Sequence, residues 1–175
     1  MTLFQSPMTL YDFASRHDLW HHVEQAVASL APDAEAFIRR ISAVPVKGSS
    51  ATRSLGCYYS RGGEPCCIRL QLAQESDALQ QTFLHEVAHL CDHLLSFSGK
   101  VYRGGHGKSW QNWARALQVS VQRCGHSPAV AKLHQQRLKV VAVCERCQEP
   151  IYRLRRLPAR RQYRHARCGG RLRPV

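Results

Sequence analysis

Long apolar runs are missing from this chain of 175 residues. No stretch approaches the roughly 18–20 apolar residues that a membrane helix needs. The N-terminus has no basic region leading into an apolar run, so no secretory signal is expected. No repeat recurs at a solenoid period, which excludes stacked-repeat architectures. The eight cysteines do not have the spacing of a disulfide framework. Free thiols predict the cytoplasm, nucleoid-associated or nuclear if the source is eukaryotic. Acidic residues are scarce at one end: residues 137–175 hold two Asp and Glu against 12 Lys and Arg, whereas residues 1–136 hold 10 against 13. Most of the formal net charge of +13 therefore belongs to the C-terminal segment.

Proline and glycine are also absent from Ser76 to Phe97, and this stretch reads as one helix over about 77–97. Asp77 with Gln80 resembles a capping box, and Gly99 supplies a stop. Leu79, Phe83, Leu84, Val87, Ala88, Leu90, Cys91, Leu94 and Leu95 make it apolar around most of its circumference, the pattern of a buried helix. Within it stands His85-Glu86-Val87-Ala88-His89. Histidines four apart share a helix face and can converge on one Zn²⁺. The glutamate between them lies beside the metal without ligating it, placed to accept a proton from the attacking water. Two solvated histidines on a surface helix would spell the same five letters. Burial favours the metal, because unpaired buried polar groups are costly.

A catalytic zinc site needs a third protein ligand. No Glu occurs between Glu86 and Glu145, and the position six residues after His89 is Leu95. His93 continues the four-residue spacing, but eight residues of helix rise about 12 Å, too far for one ion. His93 is expected to be packed or solvated. His106 remains, between glycines in Gly104-Gly105-His106-Gly107, just ahead of a second helix expected over about 109–124. Ser109 is its expected N-cap, with Trp110, Trp113, Ala114, Leu117 and Val121 as the apolar face. A plain loop histidine is the alternative for His106.

The His-Glu-x-x-His helix followed by His106-Gly107-Lys108-Ser109-Trp110 resembles the SprT-like zinc metalloprotease family, of the Spartan type that cuts proteins crosslinked to DNA. Arg53-Ser54-Leu55-Gly56-Cys57-Tyr58-Tyr59 and Cys66-Cys67-Ile68-Arg69-Leu70 resemble its β-rich lead-in. The resemblance implies a zincin-like α+β fold with an appended small β zinc ribbon. It implies His85, His89 and His106 as catalytic zinc ligands and Glu86 as general base and acid. Tyr102 and Arg103 are the nearest candidates for an oxyanion stabiliser.

Cys144-x-x-Cys147 has zinc-knuckle spacing, and His165-x-x-Cys168 follows at the distance of a second pair. These four would close a tetrahedral, structural Cys₃His site. The family's ribbon usually carries four cysteines, so His165 departs from it. Cys57, Cys66, Cys67, Cys91 and Cys124 read as apolar filler or surface thiols.

Two modules are expected. Residues 1–136 form the metalloprotease domain, with one or two helices over about 9–41, interrupted at Pro32, and a β-rich segment over about 44–74. A short helical stretch from Pro128 to about Leu138 joins it to a basic ribbon module, residues 137–175. Arg153, Arg155, Arg156, Arg160, Arg161 and Arg164 suit phosphate contacts, and Tyr152 and Tyr163 could stack on bases. DNA bound without sequence preference, with DNA-bound proteins as substrates, is the expected partner set. A non-proteolytic zinc-containing DNA-binding protein, or a zinc protease of a soluble protein, fits the same residues.

Overall fold

A computed structural model describes residues 8–96, 101–120 and 125–175. The chain is a mixed α+β protein with two small sheets, divided into two compact units, one running to Val130 and the other Ala131–Val175. No helix among the described residues is long and apolar enough to cross a membrane.

The first unit opens with three helices rather than one or two: α1 (Leu10–Arg16), α2 (Trp20–Leu30) and α3 (Ala34–Ser42). Thr9 and Asp12 cap α1 reciprocally. The unexpected break follows at Asp18, whose φ of 56° is left-handed and cannot continue a helix. Strands β1 (Val46–Gly48), β2 (Gly56–Arg61) and β3 (Glu64–Leu70) form a sheet in the order β1-β3-β2. β1 runs parallel to β3, and β2 pairs antiparallel to it, leaving β2 at the edge. Gly62 and Gly63, both at positive φ, turn β2 into β3.

Helix α4 (Ser76–Ser96) is the axis of this unit. It begins one residue ahead of the expected cap, so Asp77 lies in the first turn and favours the positive helix end. The expected stop at Gly99 falls outside the described residues, as do Phe97, Val121 and Cys124. Phe83, Val87, Ala88 and Leu90 are completely buried. Phe83 packs tilted against Phe13 of α1 at 4.6 Å, and Phe37 of α3 stacks on Trp113 at 5.5 Å. Truncating a buried aromatic such as Phe83 to Ala costs about 3–5 kcal/mol. α5 (Lys108–Ala116) is shorter than expected, and its N-cap is Gly107 rather than Ser109. Gln118, at φ 56°, ends the run and turns Val119 back into the core. α6 (Pro128–Arg137) spans the division between the units.

The second unit holds β4 (Lys139–Cys144), β5 (Pro150–Arg153) and β6 (Leu172–Pro174), in the order β5-β4-β6 and antiparallel throughout. Its core is Ala142, Cys144 and Leu172, with Ile151, Leu157, Tyr163 and Cys168 packed against it. Modules of this size with so small a core usually rely on a covalent or metal staple.

Candidate metal centres

Helix periodicity puts His85 and His89 on one face of α4, and the glycine-rich segment after it brings His106 to them. The three rings lie 5.0 Å apart, centroid to centroid, in every pairing. Trp110, fully buried on α5, backs all three at 4.2–5.3 Å. Nε2 of His85 and Nε2 of His106 are 3.1 Å apart, and one nitrogen from each of the three histidines lies within 4.8 Å of the others. Tetrahedral zinc with Zn–N of about 2.0–2.1 Å separates its nitrogens by about 3.3 Å, so this set fits the ion. Burial pushes the imidazoles down, His85 to about 4 and His89 to about 3, with neighbouring histidine charge adding to it. They are neutral near pH 7, the state a metal requires.

Glu86 lines the same cleft as the three histidines. It is only 7% exposed, and burial pushes its carboxyl up to about 7. The backbone N–H of Tyr58, on edge strand β2, donates to its Oε2 at 2.6 Å and partly opposes that rise. Two cavities meet at Gly56 and Glu86. One, of about 500 Å³, extends past His85 to Leu55, Val119 and His126. The other, of about 700 Å³, runs along Tyr58 and Ser60 to His89 and Gly105. His93 is fully buried, and its Nδ1 lies 2.6 Å from the Tyr58 hydroxyl. It is packed, not directed at the other histidines. The Tyr102 hydroxyl meets Nδ1 of His89 at 2.9 Å and Oδ2 of Asp92 at 3.0 Å, whereas Arg103 is exposed. Burial and the Asp92 charge raise the Tyr102 phenol, which stays protonated.

In the second unit Cys144, Cys147, His165 and Cys168 bring one ligand atom each within 4.8 Å of the others. The two pairs sit on equivalent turns. The N–H of Gln148 donates to the carbonyl of Cys144 at 2.9 Å, and that of Gly169 to His165 at 2.8 Å. Gln148 and Gly169 both take positive φ, 58° and 71°. His165 thus occupies the turn position that Cys144 holds in the first pair. Its Nδ1 lies 3.2 Å from Cys147 Sγ and 3.3 Å from Cys168 Sγ, and its Nε2 lies 3.8 Å from Glu149. Hydrogen bonds from the turn, first from the backbone of Cys147, lower the Cys144 thiol to about 6. Three thiols and an imidazole at these spacings suit zinc. A Cβ on Gly170 would stand 2.7 Å from Cys144 Sγ, so the backbone closes over this cluster only with glycine there.

Arg153, Arg155, Arg156, Arg160, Arg161 and Arg164 are all exposed. Tyr152 is exposed, while Tyr163 packs on the small core.

A family model described as SprT-like matches residues 30–134. The chain belongs to the SprT-like family. Its first unit is accordingly a zinc-dependent protease-like domain. No curated protein and no solved structure matches the chain. Asp92 was not expected beside the histidines, and Tyr102, a candidate oxyanion stabiliser, meets His89 and Asp92 instead. Trp110 was marked by its place on the apolar face of α5 and by the motif that follows His106.

Proposed function

We propose that this SprT-like chain is a zinc-dependent endopeptidase of DNA-associated proteins. In this reading His85, His89 and His106 hold the catalytic zinc of a zincin-like domain, and Glu86 is the general base and acid. Cys144, Cys147, His165 and Cys168 hold a structural zinc in a ribbon whose arginines keep the enzyme on DNA. The observation that carries the reading is the convergence of three imidazoles beside a buried carboxyl, where two cavities join along an open strand edge.

When bound, zinc polarises the scissile carbonyl and acidifies water. Glu86, raised to about 7, is poised to take the attacking water's proton and return it to the leaving amine. Tyr58 holds the carboxylate by its backbone N–H. The edge of β2 suits an extended peptide pairing with the strand. Chelation should abolish cleavage of a DNA-bound protein, and stoichiometric zinc should restore it. Cleavage that survives complete zinc removal contradicts the reading.

DNA tethering draws on the charge of the second unit and on β5. Lys139 and Arg153 sit directly opposite on β4 and β5. Like charges so placed cost stability, which a phosphate would relieve. Tyr152 pairs with Val140, both exposed, giving an open apolar surface on the face opposite to that charged pair. Without residues 141–175 the enzyme should still cut an unfolded soluble protein but lose its DNA affinity. Unchanged DNA affinity contradicts the tether.

A further inference from the structure

The Tyr102 hydroxyl sits between His89 and Asp92, and the chemistry of its neighbours fixes the direction of its hydrogen bonds. Asp92 is 4% exposed on α4. As a carboxylate it only accepts, so the Tyr102 O–H donates to its Oδ2 at 3.0 Å. The phenol has one proton. Its oxygen must then accept at the second contact, from Nδ1–H of His89 at 2.9 Å. A neutral imidazole protonated on Nδ1 carries its lone pair on Nε2. The metal-facing nitrogen of His89 is therefore Nε2, matching the Nε2 atoms of His85 and His106 that face each other.

Tyr102 also lies four residues before His106, in the same connection between α4 and α5. One hydroxyl thus ties the segment that bears His106 to the helix that bears His85 and His89. Its surroundings hold it still: the ring stacks on buried His93 at 5.0 Å and 25°. Asp92 is fixed on its other oxygen by the Ser96 hydroxyl at 3.4 Å, and Ser96 meets Ser109 of α5 at 2.8 Å.

We infer that Tyr102 is a positioning residue for the histidine centre. Through Asp92 it selects the His89 tautomer that presents Nε2 to the metal, and it pins the His106 segment to α4. This rests on the zinc reading above. It extends that reading to two residues that are not ligands. Groups that orient metal-binding histidines typically change affinity by about 10–100-fold when removed.

The test uses the full-length, zinc-loaded protein and its Tyr102→Phe variant. The second unit's Cys₃His cluster serves as an internal control. Zinc is titrated against a competing chelator and counted by native mass spectrometry. Tyr102→Phe should yield the histidine-centre zinc at about 10–100-fold lower chelator strength than wild type, while the ribbon zinc is held equally by both. Asp92→Asn should weaken the same centre, and adding it to Tyr102→Phe should weaken it little further, because the two act through one bond. Independently of any variant, long-range ¹⁵N–¹H spectra of wild type should show the His89 proton on Nδ1. Equal chelator resistance in Tyr102→Phe and wild type, or a His89 proton on Nε2, overturns the inference and leaves the zinc reading intact. A wild type that binds zinc only at the cysteine cluster overturns both.

Discussion

Gly56 lies directly against Glu86. A methyl group at position 56 would stand 3.0 Å from Oε1 of Glu86 and 2.5 Å from Cγ2 of Thr82. β2 can lie on α4, and Tyr58 can reach the carboxylate, only because this position has no side chain. Gly56→Ala should push strand and helix apart. Overpacking of this kind costs about 1–3 kcal/mol, and a misplacement near 1 Å costs about 10²-fold in rate. The variant should therefore keep its zinc, melt a few degrees lower and lose kcat/KM far out of proportion to that loss. Steady-state kinetics with zinc content measured on the same sample decide it. An unchanged kcat/KM contradicts the close packing.

His165 stands where the matching turn carries Cys144, so His165→Cys should retain the ribbon zinc. His165→Ala should lose it. Structural zinc contributes about 10–16 kcal/mol in small modules, and the core of Ala142, Cys144 and Leu172 cannot replace that. Gly170→Ala should also weaken the cluster, since its methyl would meet Cys144 Sγ at 2.7 Å. Native mass spectrometry and the dispersion of ribbon amide signals report the outcome.

Glu75 gives a pH dependence away from either cluster. Its carboxylate accepts from the Ser127 hydroxyl at 2.6 Å and the Ala129 N–H at 2.8 Å, anchoring the start of α6. The Ser127 bond, first among the causes, lowers its pKa below 4.5. A depressed carboxyl contributes stability that is present above its unfolded pKa and lost as pH falls through its folded one. Wild type should thus out-melt Glu75→Gln at neutral pH, and the two melting curves should converge on acidification below pH 4.5. A gap that persists in acid would assign the difference to something other than the charge.

Replacing Arg155, Arg156 and Arg160 together by alanine should weaken DNA binding without regard to sequence. The slope of log affinity against log salt should shrink by about 0.7–0.9 for each phosphate that is no longer neutralised. Tyr152→Ala should instead lower affinity for single strands more than for duplex, at about 1–3 kcal/mol per stacked base. Fluorescence anisotropy across a salt series separates the two effects.

How much of this was legible in the sequence depended on the range over which each residue acts. His85 and His89 share a helix face by periodicity, and the Cys-x-x-Cys and His-x-x-Cys pairs close tight turns. Both are local, and both stood out by spacing. His106 emerged because the other third-ligand patterns were missing. Tyr102 was marked only by its nearness to His106 and Asp92 not at all, since their meeting depends on how residues 101–107 return to α4. The helix ends at Asp18 and Gln118 were hidden for another reason. Both residues take left-handed φ without being glycine, so the usual glycine signal for a break is absent.

The central claim is that Glu86 moves the proton at a zinc held by His85, His89 and His106. Glu86→Gln keeps the side chain's size and its acceptor for the Tyr58 N–H, but cannot take a proton. The decisive measurement is cleavage of a DNA-bound protein by wild type and Glu86→Gln, each shown by mass to hold the same zinc. The account predicts equal metal, with cleavage by the variant reduced by about 10²–10⁴-fold. Equal cleavage at equal metal content would contradict it.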